Sequence, residues 1–138
     1  MKKNETVSLL VLTGTLLISC TAHIAMNDIR SIRKNMTRNE LRSLLHKSPS
    51  SAFQIVCETE EYWVDVFKMQ TGTAIHTYYV YSGNDFITHY IPYPTTEDYF
   101  FIFQDNGLIY WGFIHELHDS ENASISNLSP MISEHLDK

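Results

Sequence analysis

Apolar positions along the chain follow two rhythms. Ala25, Ile29, Ile32 and Met36 recur at intervals of four, three and four, which is one face of a helix, and Asn27 or Asp28 could cap it. Thr37 with Glu40 three residues later is a capping box, in which the hydroxyl accepts from the N–H of Glu40 and the carboxylate accepts from the cap N–H. Met36 and Leu41 stand at the flanking staple positions. Leu41, Leu44 and Leu45 then share one face, with Arg38, Asn39 and Arg42 pointing away, and Ser48-Pro49 ends the second helix.

From Ala52 the period changes to two. Residues 52–58, 61–69, 75–81, 85–91, 99–104 and 108–117 read as strands rich in β-branched and aromatic side chains. Gln70-Thr71-Gly72, Ser82-Gly83-Asn84 and Asp105-Asn106-Gly107 read as turns, and Asn106-Gly107 offers the positive φ values of a type I′ hairpin. Ile91-Pro92-Tyr93-Pro94 reads as a loop, because a proline has no N–H to give a central strand. Residues 119–138 show little periodicity and read as a flexible tail with a short helix near residues 131–136. The order of elements predicts an α+β domain over residues 20–118: two short N-terminal helices packed on one face of an antiparallel β-sheet meander.

The length of 138 residues allows one domain, and 43% hydrophobic content excludes wholesale disorder. Charge is segregated. Arg30, Arg33, Lys34, Arg38, Arg42 and Lys47 precede the strands, whereas only Lys68 and Lys138 follow, against 13 acids. A net charge of −6 argues against nucleic acid as a partner, since neutralising phosphates needs clustered cations. All 17 aromatic residues fall within the 61 residues from Phe53 to Phe113. Rings on both faces of the strands exceed what one buried face requires, so Tyr62, Tyr79, Tyr81, Tyr90, Tyr110 and Trp111 are candidate protein-interface residues.

The chain opens with Met1-Lys2-Lys3 and an apolar run from Val7 to Ile18, the layout of a secretory signal and short of the roughly 20 residues that span a bilayer. Leu17-Ile18-Ser19-Cys20 resembles the bacterial lipobox, which implies a lipoprotein signal peptide over residues 1–19 and acylation of Cys20. Several acyl chains anchor stably, because each buried CH₂ is worth roughly 0.8 kcal/mol. Thr21 stands in place of the aspartate that retains such lipoproteins at the inner membrane, so the lipobox resemblance implies sorting to the outer membrane. Arg30, Arg33 and Lys34 follow closely and are candidates for contact with anionic head groups. The second cysteine, Cys57, shares a strand face with Phe53 and Ile55 and reads as a buried thiol.

Catalytic chemistry finds little support. His115-Glu116-Leu117-His118-Asp119 lacks the second histidine spacing of a zinc-protease helix and reads as a strand end with its histidines on opposite faces. Glu58, Glu60, Glu61 and Asp65 read as an acidic turn, with no nucleophile or oxyanion donor beside them. No catalytic residue, metal site or cofactor is expected.

The stretch Ile32-Arg33-Lys34-Asn35-Met36-Thr37-Arg38-Asn39-Glu40-Leu41-Arg42-Ser43-Leu44-Leu45 resembles the opening motif of the SmpA/OmlA (BamE-like) small outer-membrane lipoproteins. Residues 99–111, Tyr-Phe-Phe-Ile-Phe-Gln-Asp-Asn-Gly-Leu-Ile-Tyr-Trp, are similar to the closing hairpin of that family. The resemblance implies two helices on a three-stranded antiparallel sheet and a non-enzymatic role in binding an envelope protein, in outer-membrane assembly or maintenance. The same module occurs in periplasmic inhibitors, so inhibition of a hydrolase of lysozyme or β-lactamase type, through the turn at Asp105-Asn106-Gly107 or the acidic aromatic face, is the alternative expectation. Asn35 and His46 stand where the family motif has glycines, Pro49 comes one residue late, and residues 75–91 leave room for an inserted hairpin.

Overall fold

The computed structural model describes residues 23–138. The expected signal peptide and Cys20 lie outside the described residues. Five strands form one mixed sheet: β1 (His23–Ile24), β2 (Ser51–Cys57), β3 (Glu60–Ser82), β4 (Asp85–Gln104) and β5 (Gly107–Phe113). β3 and β4 are the central pair. β5 lies on the far side of β4, and β2 pairs antiparallel with the first part of β3. β1 continues the same edge of β3 but runs parallel to it, pairing His23 with Lys68 and Ile24 with Met69.

The capping box forms as the sequence predicts. In α1 (Arg38–Leu45) the Glu40 N–H donates to Thr37 Oγ1 at 3.2 Å and the Thr37 N–H donates to Glu40 Oε2 at 2.8 Å. These bonds to Thr37, backbone first and hydroxyl second, hold the Glu40 carboxyl below its ordinary range. His46 closes the helix in the left-handed region, at φ 52°. Ahead of α1, the expected first helix is a single 3₁₀ turn over Asp28–Ser31.

Most helical residues instead follow the sheet, which corrects the expected arrangement. α2 (Ile114–His118), α3 (Ala123–Ser126) and α4 (Leu128–Leu136) occupy the stretch read as a strand end and a flexible tail. Leu128 and Ile132, one helical turn apart, are fully buried, which is why this segment docks rather than trailing in solvent. Asn122 caps α3 by accepting from the Ser124 N–H at 3.0 Å.

The consequence is a body with helices on both faces of the sheet. Successive β4 residues alternate between two cores. Tyr99, Phe101 and Phe103 meet Ile32, Leu41, Leu45, Phe67 and Met69 under α1. Phe100 and Ile102 meet Phe53, Ile55, Tyr62, Val64, Leu117, Leu128 and Ile132 under the C-terminal helices. The run of large apolar residues from Tyr99 to Phe103 is therefore the signature of a strand covered on both sides.

Two turn assignments also shift. Asp105 and Asn106 take the positive φ values, 50° and 64°, and Gly107 already opens β5, one residue earlier than the Asn-Gly reading predicts. Gln70-Thr71-Gly72 is a bulge within β3, and Pro92-Tyr93-Pro94 is strand within β4.

Candidate functional site: an exposed two-stranded arm

Beyond the bulge, β3 and β4 leave the body together. Gln70 pairs with Thr96 and Gly72 with Thr95, which leaves Thr71 unpaired. A Cβ at residue 72 would stand 3.1 Å from Thr95 Oγ1, so the bare glycine eases the close approach of the strands. From residue 72 to Ser82 and from Asp85 to residue 95 the two strands pair residue for residue. The ribbon ends at Gly83-Asn84, where only Gly83 has a positive φ, 66°, the pattern of a II′ hairpin turn.

Between residues 71 and 97 every residue except Ala74 and Thr95 is exposed. The same stretch up to residue 96 carries a single formal charge, Asp85, and six of the 17 aromatic residues. Directly paired residues share a face in an antiparallel ladder, so the pairs sort the side chains. One face holds Ile75, Tyr79, Tyr81, Phe86 and Tyr90, which are between 63% and 71% exposed. The other holds His76, Tyr78, Val80, Ile87, His89, Ile91 and Tyr93. The rings lean on their cross-strand neighbours: Tyr78 stacks on His89 with centroids 5.0 Å apart, and Tyr81 meets Phe86 edge-on at 5.2 Å.

Pro92 and Pro94 fit here because β4 is an edge strand in this region. They pair with Ile75 and Thr73, at positions whose N–H direction faces away from β3. The absent donor thus removes nothing from the β3–β4 ladder.

Three of the six interface candidates, Tyr79, Tyr81 and Tyr90, come together on the more exposed face of the arm. The other three do not join them. Tyr62 is only 6% exposed, covered by the C-terminal helices, and its phenol is pushed up mainly by burial and then by Glu60. Tyr110 and Trp111 are half-buried against the two opposite cores. Burial and the Glu116 carboxylate raise the Tyr110 phenol to about 12. Sequence reasoning placed Ile75 and Phe86 on strands without singling them out, and it missed Tyr93, whose strand was hidden by the flanking prolines.

The charged residues form a separate constellation in the body. Asp65 on β3 is fully buried, and its carboxylate accepts from Arg38 Nη2 at 2.6 Å and Nε at 3.3 Å, and from Arg42 Nη2 at 3.3 and 3.4 Å. The Arg38 guanidinium also lies 4.5 Å over the Trp63 ring. Asp65 therefore ties α1 to the sheet rather than belonging to an acidic turn. Arg30, Arg33 and Lys34 are exposed around the 3₁₀ turn, near the start of the described chain.

His115 and His118 lie on α2, not on a strand end. His115 stacks on Phe113, and His118 Nδ1 is 3.1 Å from Asp119 Oδ1. Among the described residues no group of three or more His, Cys, Asp or Glu side chains is placed to hold a metal ion. Among them, too, no helix is long and apolar enough to cross a membrane. Cys57 is half-buried against the core beneath the C-terminal helices.

No protein-family model matches the chain, and no curated protein or solved structure is significantly similar to it.

Proposed function

We propose that this chain is a lipid-anchored bacterial envelope protein that acts by binding another protein through its aromatic arm, in outer-membrane assembly or maintenance. The observation that carries the reading is the arm itself: a long ribbon with a single formal charge that presents Tyr79, Tyr81, Phe86 and Tyr90 to solvent on one face. Tyrosine and phenylalanine combine large contact area with few rotatable bonds, which suits them to recognition. The anchor is read from Leu17-Ile18-Ser19-Cys20, and Arg30, Arg33 and Lys34 would approach anionic head groups beside it. The resemblance to the SmpA/OmlA lipoproteins gains support from Asn35 and His46. Both take left-handed backbone, φ 65° and 52°, at the two places where that motif has glycine.

An affinity pull-down of the full-length, membrane-extracted protein tests the function. Wild type is expected to capture a defined envelope protein, and Tyr79→Ala with Phe86→Ala to lose it while leaving the fold intact. Equal capture by the variant would sink the arm as binding element. Labelled palmitate tests the anchor separately: incorporation into wild type but not Cys20→Ala is expected, and no incorporation into wild type overturns it.

A further inference from the structure

The arm has two outer edges, and they are not equivalent. On β4 the outward-facing main-chain positions are Phe86, Thr88, Tyr90, Pro92 and Pro94, by their pairing with Tyr81, Tyr79, Thr77, Ile75 and Thr73. Two of the five have no N–H, so this edge is blunted against strand addition. The matching positions on β3 are Thr73, Ile75, Thr77, Tyr79 and Tyr81, every one with a donor and an acceptor. β2 covers β3 up to Val66 and β1 covers Lys68 and Met69, so among the described residues the open edge begins at the bulge.

We propose that the open β3 edge of the arm pairs with the same edge of a second copy, antiparallel about a two-fold axis at Thr77. This rests on the reading of the arm as the binding element, and it names the occupant of one edge while leaving the aromatic face free.

Self-pairing is favoured by three features of this edge. The five outward positions are centred on Thr77, so the two-fold places Thr77 opposite Thr77, Ile75 opposite Tyr79 and Thr73 opposite Tyr81. Thr–Thr and aromatic–β-branched neighbours are the cross-strand pairs that stabilise sheets. The five pairs exchange about ten main-chain hydrogen bonds, the number found in a protein interface of ordinary size. The same register sets Thr71 opposite Gly83, so each free edge is used in full and each arm tip stops where the partner's β1 begins.

Charge selects the same place. A chain of net charge −6 repels its own copy, but residues 71–96 hold only Asp85, which lies at the tip and off the paired edge. The Lys68–Asp98 ion pair, at 2.5 Å, lies on the body side of the bulge, outside the paired stretch.

Edge-specific proline substitution tests the proposal in the full-length protein, held in a mild detergent. The expected result is that wild type and Thr88→Pro sediment as two chains, whereas Thr77→Pro sediments as one with an unchanged circular dichroism spectrum. Thr77→Pro removes only an outward N–H, as Pro92 and Pro94 already do on the other strand, so the β3–β4 ladder survives. In parallel, Thr77→Cys is expected to form a disulfide-linked dimer on oxidation and Thr88→Cys not to. Their backbones would lie roughly 5 Å and more than about 14 Å from the symmetry mates, against the reach of a disulfide. A wild type that remains one chain at 100-fold concentration range, or a Thr77→Pro that still sediments as two, overturns the proposal. A wild type that forms the dimer but captures no envelope protein would overturn the functional reading and leave this one standing.

Discussion

β3 and β4 each contain two regions with opposite surroundings, and the contrast separates what folds this protein from what it displays. In the body, Phe67 and Phe100–Phe103 are buried from both sides by helices. In the arm, the same two strands continue with side chains of similar size and, among the described residues, no helix on either face. Aromatic residues in the body are there for area removed from water, at roughly 25 cal/mol per Å². In the arm they remain in water, so stability gives no reason for their number.

That contrast can be broken in the body first. Phe101→Ala removes a fully buried ring that meets Phe67 edge-on at 5.4 Å, and is expected to cost about 4 kcal/mol in urea denaturation. Arg38→Ala leaves the buried Asp65 carboxylate with Arg42 alone and strips the cation from Trp63, and a loss of about 3 kcal/mol at neutral pH is expected. Thr37→Ala removes the helix cap, at about 1 kcal/mol.

Titration sharpens the picture further. The Glu40 carboxyl is held below its unfolded value, so its contribution is present above the ordinary carboxylate range and is lost as pH falls through the lowered folded value. Glu40→Gln is expected to flatten that acid limb. Tyr110 behaves oppositely: its phenol is raised from 10 to about 12, so the neutral form stabilises the fold below pH 10 and that contribution is lost as pH rises through 12. In denaturation curves taken across that window, Tyr110→Phe should decline less steeply than wild type. The smallest effect belongs to the largest change. Replacing residues 73–94 by Asn-Gly is expected to leave the body's resistance to urea within about 0.5 kcal/mol of wild type. A collapse of the shortened protein would show that the arm supports the body after all.

Local chemistry made part of this legible. Thr37 and Glu40 announce α1 because a capping box is settled within four residues. The strand periodicity also held, and the Gly83-Asn84 turn is where it was expected. Continuity was harder to read, since Gly72 and two prolines look like breaks. Their meaning depends on whether the strand is at an edge, and that depends on partners distant in sequence. The C-terminal helices were obscured by their Ser and Asn content. Ile125, Leu128 and Ile132, spaced by three and four, were the available signal. Without those helices, the second face of the sheet looked like spare surface, and Tyr62 looked like an interface residue.

The tight turn at Gly83-Asn84 has a further effect, on the order in which the chain folds. The body segments of β3 and β4 are separated by residues 71–95, and closing 25 structureless residues costs about 2 kcal/mol more entropy than closing two. A ribbon that zips from its tip avoids that closure, because each new pair adds only the residues next to the last one formed. The arm thus acts as a guide rail that delivers Phe67 and Phe101 to each other already in register.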